Sequence, residues 1–444
     1  MRKAAFHNLG CKVNAYETEA MEQMLEAAGY EIVPFAPGAD VYVINTCSVT
    51  NIADRKSRQM LHRAKKMNPS AVVVAAGCYV QAAGKELAEK DEAVDIVIGN
   101  DRKNELPEIL ERYFAGREEG EETEDVYLKD LVSPTEYEEL HIDRVAEHTR
   151  AFIKVQDGCN QFCSYCIIPY TRGRVRSRRP EDVVKEIRGL AAAGYKEVVL
   201  TGIHLSSYGV DFAGGKPGLM ELLEMVHGIE GVERIRLGSL EPRIITEESA
   251  RFMAGLDKLC PHFHLSLQSG CDETLKRMNR KYTTEEYLEK CEILRKHFDR
   301  PAITTDVIVG FPGETEEEFE ETRAFLEKVR FYEMHVFKYS RRKGTRADKM
   351  DGQVPEPVKA ARSEVLLELE RKMSDEYRRM WLGEEVDVLL EEEASADGKQ
   401  VMTGCTREYV KCAVEERPGM KKGMMVRGTA KRLMEDGVME VTVV

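Results

Sequence analysis

Apolar runs alternate with amphipathic segments over the first hundred residues of the chain. AFHNLG near the start predicts a short strand, followed by a helical stretch from about Tyr16 to Ala28. Further strands are predicted at 41–45 (VYVIN), 71–76 (AVVVAA) and 94–98, with a basic amphipathic helix at 52–66 and another helix through Lys90 between them. Strands that alternate with helices predict a doubly wound parallel sheet, which we assign to an N-terminal domain of residues 1–103.

The next stretch, residues 104–144, is rich in glutamate and shows no strong periodicity. We interpret it as a linker with irregular or edge structure.

A second series of apolar runs fills the centre of the chain. The predicted strands are 151–156, 197–202, 234–239, 263–267, 302–310 and 334–339. Helical stretches such as 181–192, 284–296 and 316–328 separate them. Six such units predict an open, partial (β/α)6 barrel over residues 145–375 rather than a closed barrel of eight strands.

The pattern changes again towards the end of the chain. A long charged helix is predicted from about Pro357 to Trp381, and short strands with glycine turns follow it. This pattern favours a small antiparallel β-barrel over residues 376–444. The chain is therefore predicted to be an α/β protein with a third, all-β module.

Composition narrows the class of protein. The chain has 444 residues and a formal net charge of −14, and it contains no apolar run long enough for a membrane helix. The start, MRKAAFHNLGCKVN, has no apolar segment typical of a secretory signal, so we expect a cytoplasmic protein without a membrane partner. The acidic balance argues against non-specific nucleic-acid binding but leaves room for a local basic patch.

Eleven cysteines in a long chain from a reducing compartment favour metal ligation or catalysis over a disulfide framework. Cys159, Cys163 and Cys166 form a CxxxCxxC motif after the first barrel strand, at the end where active sites of βα barrels lie. Three thiolates on one loop can hold three irons of a four-iron cluster and leave the fourth iron open. A zinc site is the alternative, but zinc usually needs a fourth ligand close by and none is evident.

Three other cysteines each follow a predicted strand of the N-terminal domain. Cys11, Cys47 and Cys78 are 36 and 31 residues apart, close to one βα repeat each. Because the carboxyl ends of parallel strands share one edge of a sheet, these thiols are expected to converge. The alternative is three buried apolar cysteines, which are common in protein cores.

The CxxxCxxC motif with an aromatic residue, Tyr165, before its last cysteine resembles the radical S-adenosylmethionine superfamily. The resemblance implies that S-adenosylmethionine chelates the open iron and is cleaved to a 5′-deoxyadenosyl radical. Tyr165 would flank the nucleoside, and Thr201 and Gly202 match the segment that receives the cofactor's amino group, although the usual glycine pair and acidic residue are not seen there. Further cofactor contacts are expected from strand-end residues at the same mouth: Ser239, Glu241 and Gln268.

Over essentially the whole chain the layout is similar to that of the methylthiotransferases within this superfamily. The resemblance implies two 4Fe-4S clusters, the second held by Cys11, Cys47 and Cys78. The second cluster would carry the sulfur that is methylated, while the radical made at the first opens the target carbon. An electron donor such as flavodoxin or ferredoxin and a sulfur source are implied as partners.

Three substrate classes are known in that family. The stretches Gly10–Asn14, Arg172–Arg179 and Leu200–Tyr208 resemble the class that adds a methylthio group to C2 of N6-threonylcarbamoyladenosine at tRNA position 37. Isopentenyladenosine in tRNA and a ribosomal-protein aspartate remain alternatives. An iron–sulfur redox scaffold without catalysis is a further alternative, but it leaves the six-strand barrel unexplained.

Basic residues point to tRNA as the partner. Arginine binds phosphate bidentately and stacks on bases, so an RNA contact is expected from five residues: Arg172, Arg174, Arg176, Arg178 and Arg179. The C-terminal module resembles the TRAM domain, an RNA-binding β-barrel, with these candidates: Lys421, Lys422, Arg427, Lys431 and Arg432. A further basic group follows the sixth barrel strand: Arg341, Arg342, Lys343 and Arg346.

Overall fold

The computed structural model describes residues 1–120, 125–131, 136–144, 149–396 and 398–443. Its N-terminal sheet has six parallel strands: β1 (Lys3–Asn8), β2 (Glu31–Ile32), β3 (Val41–Thr46), β4 (Val72–Gly77), β5 (Ile96–Ile98) and β6 (Val126–Tyr127). The helices of this region are α1 (Lys12–Ala27), α2 (Asn51–Met67), α3 (Cys78–Ala83), α4 (Lys85–Lys90) and α5 (Leu106–Glu119). The predicted parallel sheet is confirmed, and the early strands and helices begin and end within a few residues of the expected positions.

Helices cover both faces of this sheet because β3 and β4 are apolar on both faces, with every residue buried. Met21 of α1 and Ile109 of α5 pack on one face, while Leu61 of α2 packs on the other. The strand order is β2-β1-β3-β4-β5-β6, so the direction of winding reverses between β1 and β3. Ligands of doubly wound sheets bind at such a switch point, outside the carboxyl ends of the strands.

The expected linker, 104–144, is more ordered than its composition indicates. It contains α5, whose Leu106, Ile109 and Leu110 are buried in the N-terminal core, and the edge strand β6. The glutamates of α5 face solvent, while its apolar residues recur at helical spacing on the buried face. The high glutamate content therefore masked this pattern in the sequence. The domain boundaries at 103, 144 and 375 stay predictions, and residues 121–124, 132–135 and 145–148 lie outside the described part of the chain.

The central region forms an open barrel. Its strands are β7 (Arg150–Asp157), β8 (Arg176–Ser177), β9 (Glu197–Gly202), β10 (Arg234–Leu237), β11 (His262–His264), β12 (Ala302–Val309) and β13 (Glu333–Lys338). Its helices are α6 (Ile168–Thr171), α7 (Pro180–Ala192), α8 (Leu219–His227), α9 (Glu247–Ala254), α10 (Asp272–Arg277), α11 (Thr284–His297), α12 (Glu316–Val329) and α13 (Glu356–Arg379).

Two sheets make up this barrel, β10-β9-β7-β8 and β11-β12-β13. Isolated parallel bridges, Ile235 to Leu259 and Leu240 to Leu265, continue the order from β10 to β11. Apart from the short antiparallel β8, six parallel strands therefore follow one another in chain order, as predicted for a partial (β/α)6 barrel.

The C-terminal module is a closed barrel with the order β14-β15-β16-β18-β17. Its strands are β14 (Glu385–Ala396), β15 (Lys399–Cys405), β16 (Lys411–Glu415), β17 (Met425–Leu433) and β18 (Met439–Val443). The predicted small β-barrel is confirmed, and four of its five strand pairs are antiparallel as expected, whereas β16 and β18 pair in parallel. The chain passes from β16 to β17 across the barrel before it returns, so β18 enters its gap in the same direction as β16.

The C-terminal module lies against the amino-terminal ends of the barrel strands. Arg234 donates to the carbonyls of Cys405 (3.0 Å) and Asp387 (2.7 Å), and Arg236 donates to the carbonyl of Arg407 (2.8 Å). The opposite end of the barrel, where catalytic loops lie in this architecture, is left to the loops that follow the strands. No helix of the described residues is long and apolar enough to cross a membrane.

Candidate functional site

The loop after β7 carries Cys159, Cys163 and Cys166. It leaves the strand through Gly158, whose φ is +70° and where a Cβ would lie 1.8 Å from the carbonyl oxygen of Arg174. Only glycine fits this position. The amide of Cys159 donates to Gly173 (3.0 Å) and the amide of Cys166 donates to the carbonyl of Cys163 (3.0 Å), so the loop is folded back on itself. We call these three residues the loop triad.

Residues after α10 brace the loop triad. Arg280 donates from Nη1 to Sγ of Cys163 (3.3 Å) and from Nε to Oη of Tyr282 (2.8 Å). Asn279, at φ +61°, donates to the carbonyl of Phe162 (2.9 Å). Arg280 was not predicted from the sequence, because no motif or spacing connects it to the cysteines.

Two thiols of the loop triad have raised pKa values, so they are protonated at neutral pH when no iron is bound. Burial raises the pKa of Cys159 to about 11 and that of Cys166 to about 12, and the neighbouring cysteine charges add to both increases. A cluster would hold these sulfurs as thiolates, since iron displaces the proton from its thiol ligands. Arg280 offers positive charge and a hydrogen bond to that thiolate set.

Cys11, Cys47 and Cys78 follow β1, β3 and β4, and the structure brings them together at the switch point of the sheet. A Cβ on Gly10 would lie 3.1 Å from Sγ of Cys47, which shows how closely the first two loops approach. Burial raises the pKa of Cys47 to about 11, with contributions from the charges of Cys78 and Cys11. The predicted convergence is therefore confirmed, and we call these residues the sheet triad.

A buried network of charges supports the sheet triad. Arg172, fully buried, donates from Nε to Sγ of Cys78 (3.2 Å) and from Nη2 to Oδ1 of Asn14 (2.7 Å). Its Nη1 donates to Glu17 (2.8 Å) and lies 3.1 Å from Oδ2 of Asp157. Asp157 ends β7 two residues before Cys159, so one guanidinium contacts both the sheet triad and the strand end from which the loop triad begins.

Glu17 is the central anion of this network. Besides Arg172 it pairs with Lys103 and Lys154, each at 2.8 Å, and all four side chains are fully buried. Burial alone raises the pKa of Glu17, but the three cations outweigh burial and hold that pKa well below its ordinary value. The carboxylate is therefore ionised at neutral pH and fixes α1 against β7 across the domain boundary.

This network changes the interpretation of the arginine run. Arg172, Arg176 and Arg178 are buried: Arg176 pairs with Asp101 (3.4 Å) and Arg178 pairs with Glu186 and Glu139. The predicted RNA contact of these three is wrong, because each guanidinium is buried and already paired with carboxylates of the protein. Only the remaining two are exposed, and their RNA contact stays a prediction: Arg174 and Arg179.

The residues expected around S-adenosylmethionine lie at the carboxyl ends of the barrel strands, beside the loop triad. Tyr165 meets the ring of Phe311 edge-on, at 6.4 Å between centroids. Thr201 and Gly202 end β9, and a Cβ on Gly202 would lie 2.8 Å from Oε1 of Gln156. The others follow β10 and β11: Ser239, Glu241 and Gln268. Their contacts with the cofactor stay predictions.

His204 adds a polar atom to this mouth. Its backbone amide donates to Gln156 (2.7 Å) and its Nδ1 lies 2.7 Å from Oγ of Ser207, while Nε2 is buried and has no hydrogen-bond partner within the described residues. Burial lowers the pKa of His204 to about 4, helped by the charges of Arg280 and Arg243, so the imidazole is neutral. A buried nitrogen without a partner fits a polar ligand in the mouth.

Comparisons with known proteins agree with this geometry. Residues 153–326 match the radical SAM superfamily, and residues 3–99 match uncharacterized protein family UPF0004. The threonylcarbamoyladenosine tRNA methylthiotransferase MtaB of Bacillus subtilis is 43% identical over 93% of this chain and 90% of its own length. The MtaB of Aquifex aeolicus is 44% identical over 88% of this chain and 93% of its own length.

Two further proteins are similar to this chain at lower sequence identity. The tRNA-2-methylthio-N(6)-dimethylallyladenosine synthase of Moorella thermoacetica is 38% identical over 90% of this chain and 89% of its own length. The radical S-adenosylmethionine methyltransferase TsrM of Kitasatospora setae, solved with cobalamin and a 4Fe-4S cluster, matches 76% of this chain and 75% of its own at a TM-score of 0.56 and 16% identity. The second likeness shows the fold alone.

Proposed function

The chain belongs to the radical S-adenosylmethionine tRNA methylthiotransferases, and we propose that it adds a methylthio group to C2 of N6-threonylcarbamoyladenosine at position 37 of tRNA. The observation that carries this proposal is the presence of two cysteine triads, with one buried arginine, Arg172, in contact with Cys78 and with Asp157, two residues before Cys159. Reductive cleavage of S-adenosylmethionine would need only the cluster held by the loop triad. The sheet triad supplies a second centre next to it.

The two 4Fe-4S clusters and S-adenosylmethionine supply the sulfur transfer and radical chemistry that no side-chain acid or base can perform at an aromatic C–H. We assign Cys159, Cys163 and Cys166 to one cluster and Cys11, Cys47 and Cys78 to the other. Arg280 and Arg172 each donate a hydrogen bond to one sulfur of their set. Such donors orient the ligands and balance the negative charge of the thiolates.

The substrate class follows the nearer relatives. Two threonylcarbamoyladenosine enzymes are 43% and 44% identical to this chain and another is 36% identical, whereas one dimethylallyladenosine enzyme is 38% identical. An electron donor such as flavodoxin or ferredoxin and a sulfur source complete the proposed reaction. Because tRNA is the substrate, we place the protein in the cytoplasm.

Anaerobic reconstitution tests the proposal in two steps. Iron and acid-labile sulfide are measured first, and about eight irons per chain are expected for two four-iron clusters. The enzyme is then given S-adenosylmethionine, a reductant and two tRNAs, one with N6-threonylcarbamoyladenosine and one with isopentenyladenosine at position 37. Mass spectrometry of the digested tRNA should show the methylthio product from the first. Product from the second tRNA alone would overturn the substrate assignment, and about four irons would overturn the sheet triad as a ligand set.

A further inference from the structure

Helix α2 carries an unusual concentration of positive charge for an acidic protein. Five of its basic side chains are exposed, and within the described part of the chain none of them forms an ion pair. The acidic neighbours are already engaged by others, since Asp91 pairs with His62 and Asp95 with Lys65. We call these five residues the α2 basic face: Arg55, Lys56, Arg58, Arg63 and Lys66.

The amino-terminal end of α2 is fixed to the loop that follows β13. The buried guanidinium of Arg342 donates to Asp54 (2.6 Å), Asn51 (2.8 Å) and Ser48 (2.7 Å). This contact orients α2 relative to the barrel. It also places the next residue, the exposed Lys343, near the start of α2. The positive surface is therefore held on a rigid frame.

A cavity of about 500 Å³ opens beside this frame, and its walls include residues that directly follow a cysteine of each triad. Its walls include Tyr79, directly after Cys78, and Ile167, directly after Cys166. Thr171, another wall residue, accepts from Asn100 (2.9 Å), which also donates to Sγ of Cys78 (3.4 Å). The volume lies within the range of about 300–1,000 Å³ that is usual for ligand pockets.

Exposed aromatic and aliphatic groups border the cavity. Tyr170, a wall residue, is 46% exposed, and Val49 and Ile52, on either side of the cavity's Asn51, are 55% and 56% exposed. Cations flanking uncovered aromatic and apolar groups are what proteins use to bind single-stranded RNA, where phosphates pair with Arg and Lys while unstacked bases rest on side chains. A duplex would offer no free bases to this cavity.

Two of the candidate RNA-binding residues of the C-terminal module differ from the α2 basic face, because they lie close to carboxylates. Arg427 lies 3.6 Å from both Glu385 and Asp387, and Arg432 pairs with Glu440 (2.5 Å). These two arginines lie near carboxylates of their own module, whereas the α2 basic face forms no ion pair within the described residues, and its Arg58 donates to the hydroxyl of Tyr79 (3.3 Å).

We propose that the α2 basic face, Lys343 and the cavity beside them form the docking surface for the single-stranded anticodon loop of tRNA. The phosphates lie along α2 and a base next to the target enters the cavity against Tyr170. This inference rests on the proposed function and identifies where its substrate binds.

The test measures binding of the reconstituted enzyme to an anticodon stem-loop that carries N6-threonylcarbamoyladenosine. The variant Arg55→Glu with Lys56→Glu is compared with the matched control Arg371→Glu with Lys372→Glu, an exposed pair on α13 that changes net charge equally. The first pair is expected to raise Kd about tenfold or more at about 0.1 M salt and to lower the salt dependence by about one unit of slope per lost phosphate contact. The control should change neither.

A second pair of variants examines the cavity. Tyr170→Ala is expected to weaken binding by roughly tenfold through lost base stacking, while Tyr170→Phe should keep wild-type affinity. Equal behaviour of the α2 pair and its α13 control would overturn the docking surface even if wild-type enzyme forms the methylthio product. Failure of the wild-type enzyme to form any methylthio nucleoside would instead overturn the proposed function.

Discussion

Each of the two cysteine triads brings three thiols together as a proposed ligand set, but the two do so with opposite architectures. The loop triad lies within eight consecutive residues, from Cys159 to Cys166, and follows a single strand. The sheet triad collects its ligands from three strand ends, and its cysteines are separated by 36 and 31 residues. A local motif carries its own geometry, whereas a distributed site exists only once the sheet around it has formed.

Their supporting contacts differ in the same way. The loop triad is braced by a neighbouring turn, with Arg280 donating to Cys163. The sheet triad depends on a buried network that joins the N-terminal sheet to the barrel through Arg172 and Glu17. Folding of two domains and formation of the second site are therefore coupled, while the loop triad needs the barrel alone.

The largest expected effect is the loss of S-adenosylmethionine cleavage when the loop triad is broken. Cys163→Ala removes one of three cluster ligands and should abolish cleavage of S-adenosylmethionine, because the remaining two thiols cannot hold the cluster. Release of 5′-deoxyadenosine under reducing conditions measures the effect. The control is Cys291→Ala, a buried core cysteine remote from either triad, which should keep cleavage. Continued cleavage by the Cys163 variant would contradict the assignment.

Cys47→Ala should separate the two triads. We expect S-adenosylmethionine cleavage to persist while methylthio product disappears, because the loop triad is intact and the second centre is not. Iron content should fall from about eight to about four per chain. Methylthio product from this variant would show that the sheet triad does not carry the sulfur.

Glu17→Gln tests the network that only the sheet triad possesses. Removing this carboxylate leaves three buried cations without their shared partner, which is expected to lower the free energy of unfolding by about 3–5 kcal/mol. Urea unfolding followed by circular dichroism measures the change. The exposed Glu364→Gln on α13 serves as control and should stay within about 0.5 kcal/mol of wild type.

The pH dependence of that difference has a definite sign. The pKa of Glu17 is lower in the folded protein than its ordinary value of 4.5, so the carboxylate stabilises the fold fully above pH 4.5. The advantage of wild type over Glu17→Gln should be constant near neutral pH and shrink as the pH falls below 4.5 towards the folded pKa. An advantage that grows with acidity would contradict the network.

The same contrast explains what could be predicted from the sequence. The loop triad was visible as a motif, and the sheet triad was visible because Cys11, Cys47 and Cys78 each follow an apolar run that predicts a strand. The partners of the buried arginines were not visible, because Glu17 and Asp101 meet Arg172 and Arg176 only across the domain boundary. Charge patterns near in sequence predict a surface, and tertiary contacts decide whether the charge is buried. For the same reason α5 was hidden within a glutamate-rich stretch.

The smallest expected effect comes from replacing the arginine that donates to each cysteine triad, Arg172 or Arg280, by lysine. Arg172→Lys keeps the positive charge but loses the planar fork that reaches Cys78, Asn14 and Glu17 together. We expect iron of the sheet triad to be lost to a chelator about 10- to 100-fold more readily and the reduction potential of that cluster to fall, since a hydrogen bond to its sulfur is lost. Arg280→Lys should do the same to the loop triad alone.

Redox titrations followed by electron paramagnetic resonance separate these outcomes, because each cluster can be observed with the other removed, in Cys47→Ala or Cys163→Ala backgrounds. If Arg172→Lys shifted the loop cluster as much as the sheet cluster, the guanidinium would act through the structure of the domain boundary rather than through its bond to Cys78. A shift confined to the sheet cluster would show that each triad is tuned by its own arginine, although Arg172, unlike Arg280, also bonds to the N-terminal domain.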